Sequence, residues 1–307
     1  MTAIRLLVTQ GDPTGIGPEI IVRALAALGT SHVGGALPDV TLLGDPVVFA
    51  NAAKLMGVPI VGRILPSPVS GMGSALWALE EACRIANAKR ADAIVTAPIH
   101  KADLTRCGFT HPGQTEFLGE RLGAAGTTML LAGEHLRVAL VTTHLRLRDV
   151  PAAVTAPKVE ATIRRLHAAL VSGYRIARPR IGVLGLNPHA GEEGLFGDEE
   201  ILVIAPVVKQ LRAEGMQVRG PLPGDGTFAP RSRSEFDGIV AMYHDQGLAG
   251  LKAVEGGNAV NVTLGLPLPR TSPDHGTARD IAGLAIADAG SMSAAIALAL
   301  RLARVGH

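Results

Sequence analysis

The sequence predicts an α/β protein whose sheet is mostly parallel, with helices on both faces. Short runs of β-branched and small apolar residues alternate with helical patterns along the chain, which is the rhythm of repeated βαβ units. Of the 307 residues, 47% are hydrophobic, 18% are charged and only 3% are aromatic, and 37 are glycine. That composition suits buried sheets better than a disordered or fibrous chain. The length allows two lobes, each with a core of its own.

Each element follows from a local pattern. Pro18 stands in the first turn of a helix, where its missing N–H costs nothing, and Gly173 and Gly215 stop two later helices. The segments 29–38 and 62–74 are predicted to be loops. The pattern predicts strands at 4–10, 40–45, 92–99, 137–143, 179–187 and 236–243, and helices at 18–28, 75–89, 157–173, 198–215 and 293–305.

Charge and cysteine usage argue against several classes of protein. The formal net charge is +2 and no dense basic run occurs, so nucleic-acid binding is not indicated. Cys83 and Cys107 form neither a metal spacing nor a disulfide framework. The first apolar run breaks at Gly11, too early for a signal peptide, and arginines interrupt the apolar C-terminal stretch. We therefore expect a soluble cytoplasmic protein without membrane contact.

Three histidines follow predicted strands. His144, His189 and His244 each come after a run of β-branched and small apolar residues, and open α/β sheets bind ligands at the carboxyl ends of strands. Neutral imidazole is the commonest ligand of zinc-like metals, and three protein ligands with one open position are typical of a catalytic site. The pattern favours a metal-assisted enzyme. The alternative is that these are unrelated loop histidines among the ten in the chain.

The first turn, 11–17, joins a strand to a helix start, as phosphate-binding turns do. The stretch 15–20 lacks the third glycine of GxGxxG, so an ordinary dinucleotide fingerprint is weak and a plain chain reversal remains open. No Walker A or GxSxG pattern occurs.

A second group of polar residues indicates an anionic ligand. Lys252, Asn261 and Arg270 are spread over a glycine-rich loop and a short strand among small apolar residues. Arginine offers a planar fork to phosphate or carboxylate, and lysine offers a point charge. A small phosphorylated or carboxylated metabolite would suit them, although solvated loop charges are the alternative.

Seven segments together carry a resemblance to a known family. In chain order they are GDPTGIGPEI, TAPIHKADL, HPGQTEFL, LNPHAGEEGLFGDEE, GPLPGDGTF, DGIVAMYHDQGL and NVTLGLPLPRTSPDHGTARDIAG. They resemble the 4-hydroxythreonine-4-phosphate dehydrogenase family of pyridoxal phosphate biosynthesis over nearly the whole chain.

The resemblance implies a homodimer with active sites at the subunit interface, and a fold like that of isocitrate and isopropylmalate dehydrogenases. It implies NAD (or NADP) and a divalent metal (Zn, Co or Mg) as cofactors. One lobe would comprise 1–128 plus 276–307, with both termini, and the other 129–275, with the metal ligands and dimer contacts. The implied reaction is oxidation of 4-phosphooxy-L-threonine to a 3-oxo acid, 2-amino-3-oxo-4-phosphooxybutanoate, which loses carbon dioxide to give 3-amino-2-oxopropyl phosphate.

The resemblance also assigns roles to single residues. His144, His189 and His244 would bind the metal, shared between two subunits. The residues implied to touch substrate are Thr115, Lys252, Asn261 and Arg270, with Gln114 beside them. Asp225 and Asp245 are the implied catalytic or supporting carboxylates. Lys101 and Lys252 are candidates for proton transfer, since a lysine near a cation or in a dry pocket can have its pKa lowered.

Gln114 departs from the family pattern, which reads PGHTEF where this chain has PGQTEF. A neutral amide can donate a hydrogen bond to phosphate but cannot titrate. Some relatives act on threonate or erythronate phosphates or on a dihydrodiol dicarboxylate, so the substrate stays open among these, although the retained Thr115 and Glu116 favour the amino-acid phosphate. A phosphate acyltransferase or a non-catalytic metabolite-binding protein would explain the anion pocket without needing the three histidines.

Overall fold

A computed structural model describes residues 3–31, 37–257 and 259–305. The contacts divide the chain into a first unit, Met1–Thr127 with Val260–His307, and a second unit, Thr128–Ala259. The first division falls at 127/128, and the boundary predicted at 128/129 stays a prediction. The second does not lie at 275/276, because the strands that follow Ala259 pair within the first unit, one of them alongside 93–96.

Strands and helices alternate as the α/β class requires. In chain order the strands are β1 (Arg5–Thr9), β2 (Asp39–Gly44), β3 (Arg63–Pro66), β4 (Ala93–Thr96), β5 (Thr128–Ala132), β6 (Arg137–Leu140), β7 (Arg180–Leu184), β8 (Gln217–Leu222), β9 (Gly238–Ala241), β10 (Val260–Leu264) and β11 (Arg270–Pro273). The helices are α1 (Gly17–Ser31), α2 (Pro46–Met56), α3 (Met72–Asn87), α4 (Lys101–Arg106), α5 (Gln114–Arg121), α6 (Val150–Ala153), α7 (Ala156–Ser172), α8 (Ala205–Ala213), α9 (Gly224–Thr227), α10 (Pro230–Arg233), α11 (His244–Glu255) and α12 (Gly290–Val305).

The first unit orders its strands β3-β2-β1-β4-β11-β10. All neighbours are parallel except β10 and β11, which run antiparallel. Every residue of β4 is buried, as expected for a parallel strand covered on both faces. Helices α3 and α5 pack on Leu7, Leu43 and Ile94 to form one core.

The second unit orders its strands β5-β6-β9-β7-β8. Strands β6, β9 and β7 are adjacent and parallel, so their carboxyl ends meet at one edge. Its core joins Val138, Leu184, Ile239 and Leu251 from β6, β7, β9 and α11. The α/β class with a mostly parallel sheet, predicted from the sequence, is confirmed.

The sequence prediction missed several elements of the first unit, among them α2, β3, α4, α5 and β11. Helix α2 begins after Asp45, whose carboxylate accepts a hydrogen bond from the Val47 N–H, and ends before Gly57 at φ 64°. Strand β3 lies in a segment predicted to be loop, because the glycines and prolines there are typical of loops and the strand has only four residues. Helix α1 also extends through Ser31, into the predicted loop 29–38, of which 32–36 lie outside the described residues.

The helix predicted over 198–215 is not uniform. It starts with a π-helical turn, Glu200–Ile204, and continues as α8. Pro206 explains the change, because it has no N–H to donate and its ring crowds the carbonyl four residues earlier. In the described part of the chain, no helix is long and apolar enough to span a membrane.

Candidate active site

The three histidines lie beyond the ends of adjacent strands in the second unit. His144 follows β6 in a loop, His189 follows β7 in a turn, and His244 is the first residue of α11, just after β9. Because β6, β9 and β7 are parallel neighbours, the carboxyl-end placement predicted from the sequence is confirmed.

One chain brings two of these imidazoles together. The ring centroids of His144 and His244 are 5.5 Å apart, and Nδ1 of His244 lies 2.6 Å from Oδ1 of Asp245. His189 instead packs near Phe196, with ring centroids 6.1 Å apart. Among the described residues, no group of three or more His, Cys, Asp or Glu side chains is close enough to hold a metal ion.

The pair fits part of a metal site by its chemistry. A carboxylate on one ring nitrogen leaves the other nitrogen to face a metal, and such a partner fixes both the tautomer and the orientation of the ring. Asp245 meets His244 in this way, whereas nothing in the sequence showed which nitrogen it would reach. Two imidazoles alone are incomplete for zinc, which takes at least three protein ligands in catalytic sites.

The first unit contains a buried cation held by neutral groups. Arg270 is 2% exposed. Its Nε and Nη2 donate to Thr96 Oγ1 at 3.2 and 2.5 Å, its Nη1 donates to Thr263 Oγ1 at 3.0 Å, and Nη2 also reaches Gln114 Oε1 at 3.3 Å. Burial lowers the pKa of Arg270 to about 10, partly offset by the charge of Glu116.

This arrangement suits an anionic ligand. Burying a guanidinium costs free energy unless a negative charge compensates it. Within the described residues, all four hydrogen bonds that Arg270 donates end on neutral oxygens. Gln114 and Thr115 start helix α5 beside it, and Thr115 lies 3.4 Å from Thr263. Within the part of the chain that the structure describes, the Oδ1 atom of Asn261 is buried and has no hydrogen-bond partner. Asn261 lies on the same face of β10 as Thr263, two residues away.

Thr96 and Thr263 were missed from the sequence. Each ends or nearly ends a buried strand, where threonine is an ordinary strand residue. The sequence signal for them was weak: β4 and β10 each carry a threonine near the carboxyl end of the strand. Only the structure shows that β11, which carries Arg270, lies between these two strands.

Three other predicted residues lie on elements that are not part of this cluster. Lys252 is on helix α11 of the second unit, not in the glycine-rich loop where it was expected, because the helix continues to Glu255. Asp225 is exposed on α9, and Lys101 is the exposed first residue of α4. Their catalytic roles stay predictions.

The first turn is held by a buried carboxylate. Asp12 accepts hydrogen bonds from the N–H and hydroxyl of Thr14 and pairs with Arg279 at 2.7 Å. The Arg279 Nη2 atom also lies 2.6 Å from Asp103, and this guanidinium holds the pKa of Asp103 below its usual value. Beside the turn is a cleft of about 300 Å³, lined by Pro13, Thr14, Gly15, Pro18, Glu19, Val48, Asn51, Ala52, Leu55, Ala282 and Gly283.

Comparison with known proteins identifies the class. A 4-hydroxythreonine-4-phosphate dehydrogenase from Thioalkalivibrio sulfidiphilus is 43% identical over 100% of this chain and 99% of that protein. The crystal structure of the enzyme of that name from Klebsiella pneumoniae has 36% identity and a TM-score of 0.86 over 98% of both chains. A terephthalate 1,2-cis-dihydrodiol dehydrogenase from Burkholderia xenovorans has 31% identity and a TM-score of 0.68 over 98% of both chains.

More distant likeness concerns the fold alone. Isocitrate dehydrogenase from Methylococcus capsulatus has 17% identity and a TM-score of 0.52, over 97% of this chain and 85% of that one. The predicted likeness to the isocitrate dehydrogenase fold is therefore confirmed.

The fold and these relatives define the class: the chain is an oxidoreductase, a dehydrogenase acting on a CH–OH group. The family described as pyridoxal phosphate biosynthetic protein PdxA matches residues 55–299. The chain belongs to that family, as the sequence motifs predicted, and the acyltransferase and non-catalytic alternatives are set aside.

Proposed function

We propose that the chain oxidises 4-phosphooxy-L-threonine to 2-amino-3-oxo-4-phosphooxybutanoate, which decarboxylates to 3-amino-2-oxopropyl phosphate. The observation that carries the proposal is Arg270, a buried guanidinium whose hydrogen bonds, among the described residues, all end on neutral oxygens. A phosphate or carboxylate of the substrate would supply the missing negative charge. Relatives named for this activity, at 41–44% identity, support it.

The chain's own residues would bind and orient the substrate. The guanidinium has five N–H groups, and its longest protein bond, 3.3 Å to Gln114, is the one most easily exchanged for an anion oxygen. Asn261 Oδ1, which is buried and has no hydrogen-bond partner among the described residues, would accept a hydrogen bond from a substrate hydroxyl or ammonium. Thr115 would add a hydroxyl at the start of α5.

The cofactors would supply the redox chemistry. When bound, NAD(P) accepts the hydride, and a divalent metal (Zn, Co or Mg) polarises the hydroxyl and the later ketone. His144 and His244 would hold the metal, with Asp245 fixing the His244 ring. Lys101 and Lys252 remain our candidates for proton transfer, and Asp225 remains a candidate catalytic or supporting carboxylate. The cleft beside the first turn, between the start of α1 and the length of α2, is the proposed place for one end of the dinucleotide.

A homodimer would complete the metal site with His189 of a second copy. Exposed apolar side chains flank the histidines in sequence: Leu147, three residues after His144, is 70% exposed, and Leu195, six after His189, is 72% exposed. A partner subunit that covered these side chains would remove their apolar surface from water. Both cysteines are free, in keeping with the reducing cytoplasm, where we propose the enzyme works.

The test is a substrate panel followed by absorbance of reduced nicotinamide. We expect turnover of 4-phosphooxy-L-threonine with NAD or NADP, loss of turnover with chelator, and recovery on adding a divalent metal. Turnover that survives exhaustive chelation would remove the metal from the proposal, and turnover of only other substrates would remove the amino-acid phosphate.

One other substrate class has a specific observation in its favour. The structural relative named terephthalate 1,2-cis-dihydrodiol dehydrogenase places a dihydrodiol dicarboxylate within the reach of this fold. The same panel separates the two classes, because the dicarboxylate carries no phosphate and would meet Arg270 through a carboxylate instead. Threonate and erythronate phosphates also belong in the panel, because the sequence leaves them open as substrates.

Gln114→His is expected to keep activity on 4-phosphooxy-L-threonine and to make KM depend on pH between roughly pH 6 and 8. An imidazolium would attract the anion below its pKa, so KM should rise as pH rises through that pKa, whereas the wild-type amide contributes no such change. Steady-state KM across this range gives the answer. If the variant instead acquires this activity from almost none, another substrate is the natural one.

A further inference from the structure

The turn that carries His189 has an unusual backbone. Five consecutive residues, 189–193, have positive φ, at 53°, 54°, 82°, 42° and 57°. Only Gly191 among them lacks a Cβ, so the other four adopt a conformation that L-residues rarely take. Such a run persists only where surrounding contacts hold it.

Glu200, the first residue of the π-helical turn, makes those contacts. It is 2% exposed. One carboxylate oxygen accepts the N–H groups of Leu186 and Asn187 at 2.6 and 2.8 Å, and the other accepts Nδ2 of Asn187 at 2.9 Å. Burial raises the pKa of Glu200, but these hydrogen bonds outweigh it and hold the pKa below its usual value.

Asn187 joins Glu200 to a second carboxylate. Its Nδ2 also donates to Oε2 of Glu199 at 2.7 Å, so both N–H groups of this amide point at acidic side chains. The amide therefore has one workable orientation, because turning it over would aim its oxygen at two carboxylates.

Two glycines leave the space for this cluster. A Cβ on Gly191 would lie 2.7 Å from Glu200 Oε2, and a Cβ on Gly197 would lie 2.5 Å from Asn187 Nδ2 and 2.7 Å from Glu199 Oε2. Both have positive φ. Glycine is therefore required at both positions for two reasons: the positive φ, and the space that the two carboxylates and Asn187 occupy.

We propose that Glu200 is a positioning residue for His189, acting through Asn187 and the strained turn 189–193. The inference rests on the proposed function, in which His189 completes the metal site. A metal ligand on a strained turn stays in position only if the residues just before the turn are fixed. The Glu200 carboxylate fixes Leu186 and Asn187, which precede the turn, by accepting their backbone N–H groups.

Glu200→Gln tests this with little change of shape. The amide oxygen can still accept the backbone N–H groups, but its new NH₂ faces the Nδ2 donor of Asn187, so two donors meet. We expect Zn²⁺ affinity of the metal-free protein, measured by calorimetric titration, to fall tenfold or more. We also expect a larger loss in kcat than in KM and faster hydrogen exchange in a peptide covering 185–197.

The double variant Glu199→Gln, Glu200→Gln separates positioning from general damage. With both acids amidated, Asn187 can turn over and offer its oxygen to both new NH₂ groups, so Zn²⁺ affinity should recover part of the loss. Glu199→Gln alone keeps an acceptor for Asn187 and should lose less than Glu200→Gln. Glu134→Gln, an exposed acid in the second unit outside this turn, is the control for loss of charge and should bind Zn²⁺ as the wild type does.

His189→Ala distinguishes the two possible failures. If it loses Zn²⁺ affinity while Glu200→Gln does not, the positioning role is overturned and the ligand assignment stands. If His189→Ala binds Zn²⁺ like the wild type, His189 is not a ligand and the proposed site and the positioning role both fall. A double variant no better than Glu200→Gln would overturn the amide-orientation mechanism.

Discussion

Arg270→Lys is expected to raise KM for the phosphorylated substrate by about tenfold to a hundredfold, equivalent to ~1 to 3 kcal/mol. A lysine ammonium donates from one atom, so it cannot reach Thr96 and Thr263 and also present a fork to an anion. The change would leave buried hydroxyls without their donor, and a buried ammonium is more easily neutralised than a guanidinium. Steady-state kinetics with saturating nicotinamide cofactor measures the effect.

Arg121→Lys is the matched control for this substitution. Arg121 ends helix α5, the helix that begins with Gln114, and its side chain is 46% exposed in ion pairs with Glu80 and Glu120. Exposed pairs of this kind contribute little and tolerate lysine. An unchanged KM in Arg270→Lys, with the control also unchanged, would place the substrate anion somewhere other than at Arg270.

The sequence predicted the strands and helices that have long, regular patterns. The strand around Leu7 and the helix stopped by Gly215 were found because apolar periodicity and a terminating glycine agree. Asp45 and Pro46 are typical of a helix start, but helix α2 was missed. Its apolar residues begin only two residues after strand β2 ends, so the two apolar runs were not separated. The π-helical turn could not be foreseen, since Pro206 alone also permits a simple kink.

The candidate site divides in the same way. Local sequence was enough to place His144, His189 and His244 after strands, because a strand and the residue after it are adjacent in the chain. Which two imidazoles meet depends on the strand order β6-β9-β7 and on the loop paths, which are long-range properties. The role of Thr96 in holding Arg270 depends on the pairing of β4 with β11, which joins residues 174 positions apart.

The pairing of His144 with His244 in one chain decides which mixed dimers can work. Mixing His189→Ala with His244→Ala should restore about a quarter of wild-type activity after free subunit exchange, because half the dimers are hybrid and each has one intact site of two. That site would take His144 and His244 from the first variant and His189 from the second. NAD(P) reduction before and after mixing, with exchange followed by mass spectrometry, gives the measurement.

Mixing His144→Ala with His244→Ala supplies the control. These two ring positions come from the same chain, 5.5 Å apart, so each hybrid site would still lack one of them, and no activity should return. If this mixture recovers activity and the His189→Ala mixture does not, His144 and His244 serve different sites, and the metal is not held by the pair that the structure brings together. If neither mixture recovers despite demonstrated exchange, each site takes its ligands from a single chain, and His189 must then approach the pair within that chain when metal binds.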